Sequence, residues 1–320
     1  MSKHTSYIFY LLILVVAVSC STEKDKRLNR FYHNTTAYYN GYFNAREIIK
    51  ITDKDFRKNV VEDFSKIVPV NRYPNEEQSK AYFPDMNSVI DKTSVVITKH
   101  AMPNEKKGRK AKDEYGKWMD ENWLTMGIGY FYKREYPAAI EKFEYIIKMY
   151  EKDETKYYSK LWLAKTYIEM ENYPKALSYL NEIKVEKEAK ELSDVNESRK
   201  KGKKYSKKQK KRVNRKSKVR VTKKREKTKE ERSFLVEFPE EMTSDYYATL
   251  ADYYLRKNEY KNTVYLLDSA INYTKRKRTK VRYKFIQAQL NQELGKNNEA
   301  SKLYSYVIKK NNNYQMDFYS

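Results

Sequence analysis

The residues best able to do covalent or metal chemistry in this chain are one cysteine and three histidines. In 320 residues Cys20 is the single thiol, and the histidines stand far apart at His4, His33 and His100. Metal centres and cysteine–histidine nucleophile pairs need such groups in clusters, and this spacing supplies none. Glycine-rich phosphate and nucleophile motifs are also lacking, the closest approach being Gly127-Ile-Gly129. The sequence therefore predicts no enzyme, no metal and no cofactor.

The position of the Cys20 thiol favours one chemistry, which is acylation. Cys20 follows the small residue Ser19 and an apolar run of 12 residues, 7–18, which is shorter than the ~20 residues of a membrane-spanning helix. Residues 1–19 resemble a bacterial lipoprotein signal peptide, although Ala17 stands where a larger aliphatic residue is usual. That resemblance implies a diacylglycerol joined to Cys20 as a thioether, followed by cleavage. The alternative is an ordinary cleaved signal with an incidental cysteine.

Either signal would take the chain out of the cytoplasm. Each buried methylene of an acyl chain contributes roughly 0.8 kcal/mol, so several chains hold a protein on a membrane that one chain holds only marginally. We therefore expect a lipoprotein of the cell envelope, attached to the outer membrane through Cys20 and facing the periplasm. Because there is no second cysteine, no intrachain disulfide stabilises it there.

The formal charge of +24 is concentrated in one segment. Residues 199–229 carry 19 Lys or Arg and a single acid, Glu226, so this segment holds +18 and the rest of the chain +6. Because residues 190–232 have almost nothing apolar to bury, we expect a disordered basic insert. It is either a solvated loop or an arm attracted to anionic lipid headgroups or lipopolysaccharide. Nucleic acid is not an expected partner, since the export signal places the chain in another compartment.

Few helix-breaking residues interrupt the sequence. It has 7 Gly and 7 Pro, about 2% each against typical values near 7% and 5%. This composition argues against an all-β fold and favours an all-α protein. Since the chain has 32 Tyr, we expect a core built largely from Tyr, Leu and Ile.

Four units of the chain share one template of small and bulky residues. In the first unit, successive template residues are four, three, nine, four and three positions apart in sequence. They are Trp123, Gly127, Tyr130, Ala139, Phe143 and Ile146. The steps of three, nine and four recur in the other units. Their members are Ala164, Tyr167, Ala176 and Leu180; Ala251, Tyr254, Thr263 and Leu267; and Ala288, Asn291, Ala300 and Tyr304. Chance apolar periodicity does not produce such a fixed pattern of small residues.

The small residues give this template a steric meaning. Gly127 and its equivalents let the first helix of a pair press against the second, where Ala139 and its equivalents offer a matching small surface. The pattern resembles the tetratricopeptide repeat (TPR), a helical hairpin that stacks into a superhelix with a concave binding face. It implies an all-α solenoid with repeats 1 and 2 in residues 118–189 and repeats 3 and 4 in residues 233–320. The shift of 37 residues implies an extended turn near residues 153–156.

Residues 20–117 are expected to form a tether and an N-terminal helical region. The aromatic periodicity after residue 30 predicts a helix that docks through one aromatic face. The members of that face are Phe31, Thr35, Tyr38 and Tyr42. Gly41 weakens this helix and indicates a kink or a close approach to a neighbouring helix.

The remainder of the N-terminal region predicts shorter elements. Residues 55–115 are interpreted as helices separated by four prolines, and residues 86–100 have the clearest helical periodicity. The charged residues 104–117 predict a loop.

Four strings of the sequence resemble one family of envelope proteins. They are FYHNTTAYYNGYFNARE (31–47), WMDENWLTMGIGYFY (118–132), YKFIQAQL (283–290) and YQMDFY (314–319). Their order and spacing are similar to those of the gliding-motility and type IX secretion lipoproteins SprE and PorW. Members of that family usually continue well beyond the equivalent of Ser320, and the basic insert is not a family feature. The chain is therefore expected to be a short paralogue or a truncated form.

The resemblance implies a non-enzymatic lipoprotein that couples other secretion and motility proteins of the envelope. A different class stays open, a lipoprotein that binds peptidoglycan or nutrient oligomers. Partner binding is expected on the inward face of the first helix of repeats 1 and 2. The candidate residues are Leu124, Ile128, Phe131, Tyr132, Tyr158, Leu161, Lys165 and Ile168. The alternative is that these groups are buried against the N-terminal helix.

Overall fold

A computed structural model describes residues 27–101, 116–189 and 238–310 of the chain. Over these residues the protein is made of helices and contains no strand, which confirms the all-α prediction. Within the same ranges, no helix is both long and apolar enough to span a bilayer. The predicted signal peptide (1–19), the lipidation site Cys20 and the basic insert (190–232) lie outside the described residues.

The N-terminal region consists of one long helical rod followed by two further helices. The rod comprises α1 (Arg27–Thr36), a π-helical stretch (Ala37–Phe43) and α2 (Asn44–Asn59). After it come α3 (Glu76–Lys80) and α4 (Phe83–His100). Helix α4 covers the predicted helix 86–100 and begins earlier, because Pro84 is tolerated in its first turn. A capping box between Asn75 and Gln78 starts α3.

The rod docks on the protein as predicted, and the predicted aromatic face takes part in the docking only in part. Tyr38 and Tyr42 pack on the Trp118 ring at 4.5 and 5.7 Å between centroids, but the most buried side of the rod is a different one. Its buried side carries small and polar residues at intervals of four: Asn29, His33, Ala37, Gly41 and Ala45. A Cβ atom on Gly41 would lie 2.4 Å from Val96 Cγ2, so the close approach expected at this glycine is confirmed. The wide turns of the π-helix keep these positions on one side of the rod. Phe31 is 73% exposed, because helices approach more closely through small residues than through rings.

Residues 60–75 do not form the helix that the sequence predicted for this part of the chain. They form no helix between the end of α2 and the cap of α3, and contain a single turn in which the Lys66 N–H bonds to the Asp63 carbonyl at 3.2 Å. Pro69 and Pro74 remove two backbone donors and fix an extended course. We call this segment the strap.

The remaining described helices form four hairpins in sequence order. They are α5 (Met119–Tyr132) with α6 (Tyr136–Met149), α7 (Thr155–Glu169) with α8 (173–189), α9 (Thr243–Arg256) with α10 (Tyr260–Tyr273), and α11 (Lys277–Glu293) with α12 (Asn297–Lys310). A short turn at residues 150–154 separates the first two hairpins. It overlaps the extended turn predicted near residues 153–156, but Thr155 and Lys156 already belong to α7.

The same turn joins the two helices of every hairpin. One residue in each turn has a left-handed backbone, with φ from 57° to 72°: Arg134, Glu171, Asn258 and Gly295. The next backbone N–H then bonds to the carbonyl five residues back, as Glu135 does to Tyr130 at 3.0 Å. This is the Schellman arrangement that ends a helix. Its recurrence at equivalent positions makes the fold repeat-like in its geometry as well as in its sequence.

The small template residues lie where the paired helices touch. A Cβ atom on Gly127 would lie 2.5 Å from Cε1 of Phe143 on the partner helix. The alanines at the two small positions of the template are completely or almost completely buried: Ala139 in the first hairpin, and Ala164, Ala176, Ala251, Ala288 and Ala300 in the others. The steric interpretation of the template is therefore confirmed at these positions.

We expect Gly127→Ala to destabilise the protein by about 1–3 kcal/mol, although alanine favours an isolated helix by about 1 kcal/mol over glycine. The added methyl group must displace the Phe143 ring from its packed position. Urea unfolding followed by circular dichroism measures the change. In a Phe143→Leu background the ring is absent, and the same substitution should cost less. Equal costs in the two backgrounds would contradict this steric account.

Candidate partner-binding groove

The structure buries most of the side chains predicted to bind a partner. All eight candidates lie on α5 and α7, the first helices of the first two hairpins. Five are buried: Phe131, Tyr132, Leu161, Lys165 and Ile168. Three are half-buried: Leu124, Ile128 and Tyr158. The five buried groups are not accessible to a partner in this conformation, and partner binding at any of the eight stays a prediction.

The candidates on α5 pack against the N-terminal region. The Tyr73 ring of the strap lies edge-on to Phe131 at 4.7 Å and to Tyr132 at 6.2 Å between centroids. The Tyr132 hydroxyl donates to Asp53 Oδ1 on α2 at 2.9 Å. Burial and the nearby Asp53 charge raise the pKa of this phenol well above its usual value, so it stays a neutral donor. The N-terminal region therefore covers the inward face of the first hairpin.

The candidates on α7 are engaged mainly by the next hairpin. Lys165 Nζ lies 2.6 Å from Asp245 Oδ2 on α9 and 4.6 Å from the centroid of the Trp162 ring. The Tyr158 hydroxyl donates to Glu241 Oε1, just before α9, at 2.8 Å. Both contacts join the two hairpins that flank the basic insert. They keep the hairpins together in space although the sequence separates them.

The strap crosses the first helices of the hairpins from the fourth back to the first. The Phe64 ring lies 5.6 Å from Phe285 on α11. Tyr73, near the other end, lies 6.4 Å from Trp162 on α7 and reaches Phe131 on α5. A peptide bound in the concave face of stacked helical hairpins would follow a similar course. The strap therefore covers the first helices on the side where a solenoid of such hairpins would bind a peptide.

One buried ion-pair cluster attaches the beginning of the strap to the fourth hairpin. Glu62 accepts two hydrogen bonds from the Arg282 guanidinium, both at 2.7 Å, and one from Arg72 at 2.8 Å. Burial alone would raise the pKa of Glu62, but the hydrogen bonds and charges of the two arginines lower it below its usual value. Arg282 also donates to the carbonyl of Pro69 at 2.7 Å. The carboxylate is thus held ionised between two cations.

Two buried side chains bind the strap through its main chain. Gln289 accepts from the Val68 N–H at 3.1 Å and donates to the carbonyls of Phe64 and Lys66 at 3.0 and 2.7 Å. Asp252 accepts from the N–H groups of Val70 and Asn71 at 3.1 and 3.2 Å. Burial raises the pKa of Asp252, while Arg256 on the same helix acts in the opposite direction. These contacts recognise an extended backbone and not particular strap side chains.

Sequence reasoning missed Asp252, Arg282 and Gln289, yet the template contained a signal for two of them. Asp252 and Gln289 each follow the small template residue of their repeat by one position. Ile128 and Lys165, which were selected in the first two repeats, occupy the same position. Applying the same position to the third and fourth units would have selected Asp252 and Gln289, the two residues that bind the strap.

The described residues also contain no site suited to metal binding, since no group of three or more His, Cys, Asp or Glu side chains comes together there. The chain was compared with protein-family models and with curated proteins, and neither comparison gave a match.

The most strongly perturbed carboxyl of the first hairpin is Glu121, at the beginning of α5. Burial, and then the adjacent Asp120, raise the pKa of Glu121 to about 9. Asp120 itself accepts a hydrogen bond from the Thr155 hydroxyl on α7. Glu121 is therefore protonated near neutral pH in the folded protein.

Raising the pH should destabilise the protein through Glu121. Its folded pKa lies above the ordinary value of 4.5, so between those two values the folded state binds more protons than the unfolded state. Stability from this group is present at low pH and is lost as the pH rises toward about 9. Thermal midpoints measured from pH 5 to pH 9 should fall less for Glu121→Gln than for the parent. Glu141→Gln, at an exposed carboxylate, is the control. Parallel profiles for Glu121→Gln and parent would contradict the assignment.

Removing the Gln289 side chain should detach the middle of the strap. Gln289→Ala leaves the Val68 N–H and the Phe64 and Lys66 carbonyls without their partner. A buried group that loses its hydrogen bond costs about 1–3 kcal/mol, and urea unfolding measures the loss. Gln292→Ala is the matched control, since Gln292 is exposed on the same helix and accepts from the Tyr304 hydroxyl. Equal stabilities for the two variants would contradict the role of Gln289.

Proposed function

We propose that this chain is a lipid-anchored TPR scaffold of the cell envelope that joins other proteins of type IX secretion and gliding motility. The observation that carries the proposal is the recurrence of one small-residue template and one Schellman turn in four hairpins. Helical hairpins built on such a template stack into solenoids that bind other proteins. The proposed process, type IX secretion and gliding motility, is inferred from the sequence strings that are similar to SprE and PorW.

The scaffold role also agrees with the chemistry of the described residues. Their buried polar groups are used in helix–helix and strap contacts, as Lys165 is with Asp245 and Arg282 is with Glu62. The interior is otherwise aromatic and aliphatic, with Phe131 and Tyr157 among the largest buried side chains. Such an interior supports a role in holding a fixed shape, as a scaffold does. A proposed adaptor requires a stable binding surface and a defined location in the cell.

The strap limits where a partner of the scaffold would bind. Because it occupies the inward faces of the hairpins, we propose that secretion and motility proteins dock mainly on other surfaces. Of the predicted residues, Leu124, Ile128 and Tyr158 retain some exposure for such contacts. The polymer-binding alternative would use either the repeat groove or the basic insert, and the position of the strap gives less support to binding in the groove. The basic insert, residues 190–232, would add attraction to anionic lipid or lipopolysaccharide.

The proposed membrane localisation depends on acylation of Cys20, and substitution of this residue tests it. Cys20→Ala removes the only thiol of the chain, so metabolic labelling with a palmitate analogue should be lost. The protein should then leave the membrane fraction, because no acyl chain holds it there. Gly127→Ala, which retains Cys20, is the control and should label like the parent. Undiminished labelling of Cys20→Ala would contradict the proposed acylation of Cys20.

The process is tested by deleting the gene and complementing it. We expect the deletion strain to lose type IX secretion and surface spreading, and the parent gene to restore both. Cys20→Ala should fail to restore them, because the scaffold would no longer be held beside its partners. A strain that secretes and spreads normally but shows a defect in nutrient uptake or cell-wall maintenance would instead favour the polymer-binding alternative.

A further inference from the structure

The first helix of the rod is attached to the protein mainly through one pair of histidines. His33 on α1 and His100, the last residue of α4, are 5% and 8% exposed. Their Nδ1 atoms lie 2.7 Å apart, which is hydrogen-bonding distance. They are the only histidines of residues 27–101, 116–189 and 238–310, and neither has a role in the scaffold proposed above.

Few other side chains hold α1 in place. Of its ten residues only Asn29 and His33 are buried, whereas Leu28 and Phe31 are largely exposed. The Tyr32 ring packs edge-on against both imidazole rings, at 5.2 and 5.8 Å between centroids, so this contact also depends on the pair staying together. A segment with so few buried contacts is the kind that opens locally at a low cost in free energy.

The remainder of the rod is held independently of the histidine pair. Ala37 and Gly41 are buried in the close approach of the rod to its neighbouring helices. The Tyr38 and Tyr42 rings pack on Trp118. Helix α1 can therefore separate from α4 while the π-helical stretch and α2 stay docked.

The short contact between the two imidazoles limits how many protons the pair can bind. A neutral imidazole has one N–H group and the cation has two. A hydrogen bond between two Nδ1 atoms therefore needs one ring that donates and one neutral ring that accepts through a bare nitrogen. A proton on the accepting nitrogen breaks this bond. It also places a second positive charge on rings whose centroids are 4.9 Å apart, in a buried site where charges repel more strongly than in water.

The surroundings of His100 make it the ring that stays neutral. Burial is the main cause, and the charges of His33 and Lys99 add to it, so the pKa of His100 lies below the ordinary 6.5. No carboxylate of the described residues counteracts these effects. Docked α1 therefore binds fewer protons than released α1 in mild acid. The stability of docking that comes from this group is present above about pH 6.5 and is lost as the pH falls further.

Charges on the other elements that meet here do not favour a second proton. Arg30 lies on α1, one turn before the pair, and the backbone N–H of Lys117 donates to Asn34 Oδ1 at 2.8 Å. The carboxyls of Asp120 and Glu121, at the beginning of α5, interact with each other. The carbonyl end of α4 does attract a cation, but with only about half a unit of charge. Within the described residues, the net effect therefore opposes a doubly protonated pair.

We propose that protonation of His100 in mild acid releases α1 from α4 while the rest of the protein stays folded. The consequence for the envelope rests on the proposed acylation of Cys20. Residues 21–26 separate Cys20 from the first described residue of α1, and fully extended they span at most about 20–22 Å. Released α1 would add about 15 Å to this tether even if it stayed helical. Acidification would then let the scaffold stand farther from its membrane.

The test measures the distance between α1 and α4 in the acylated full chain. Nitroxide spin labels are placed at two exposed positions by Leu28→Cys and Val95→Cys, and acylation keeps Cys20 unlabelled. Double electron–electron resonance gives the distance distribution at pH 8 and at pH 5. The control pair is Ile51→Cys with Val95→Cys, because α2 stays docked. Circular dichroism checks that each protein keeps its helices.

Two further variants separate the charge of the pair from its packing. His100→Asn places an amide near the position of Nδ1, where it can hydrogen-bond to His33 but does not titrate. His33→Asn does the same from the other side, and its result is used if His100→Asn fails to dock at pH 8.

We expect the distribution between positions 28 and 95 to be narrow at pH 8 and to broaden and lengthen at pH 5, by up to about the 15 Å length of α1. The control pair should not change, and the asparagine variant should stay docked at both pH values. An unchanged distribution in the parent, or equal opening in parent and asparagine variant, would overturn the proposal. Opening of both asparagine variants at pH 8 would also overturn it, since the rings and not their charge would then hold α1. A third spin label on each molecule would reveal a free Cys20 thiol, which would overturn the anchor but not the release of α1.

Discussion

The arrangement of this protein depends on hydrogen bonds between buried side chains of the hairpins and the main chain of the strap. Asp252 and Gln289 are buried polar groups on the first helices of the third and fourth hairpins, and the strap supplies their partners. Without it, each would be an unsatisfied polar group in an apolar groove, which is costly. The contacts join residues more than 180 positions apart in sequence. They bind the N-terminal region and the last two hairpins into one body.

This constraint changes what the repeat array offers to other molecules. An open array of TPR-like hairpins presents its concave face to a partner, whereas here the strap already occupies that face. Its carboxylate Glu62 is held by Arg282 and Arg72, so displacing the strap would leave buried charges unpaired. This is why we propose that partners dock on surfaces that face away from the strap. The proposed lipid anchor at Cys20 would hold the chain beside a membrane.

Much of the fold could be predicted from the sequence, because each unit of the template places the same small residues between two neighbouring helices. Gly127 and its alanine equivalents are small for a steric reason that acts between neighbouring helices, and spacing alone reveals it. The docking side of the rod was predicted only in part. Tyr38 and Tyr42 do pack on Trp118, but the closest approach is made by small residues such as Ala37 and Gly41, which ring periodicity does not reveal. The strap was missed because an extended segment that uses its own backbone for binding leaves almost no side-chain pattern. Only Asp252 and Gln289, at a template position already considered in other repeats, carried a signal for it.

Amide hydrogen exchange in the unmodified protein tests most directly whether the strap is a permanent part of the groove. The N–H groups of Val68, Val70 and Asn71 bond to side chains of the hairpins and to no helix of their own. If the strap is integral, these three amides should exchange only through global unfolding, at rates like those of buried amides in α9 and α11. If they exchange orders of magnitude faster while those helices remain protected, the strap opens on its own. The groove would then be available to a partner, contrary to this account.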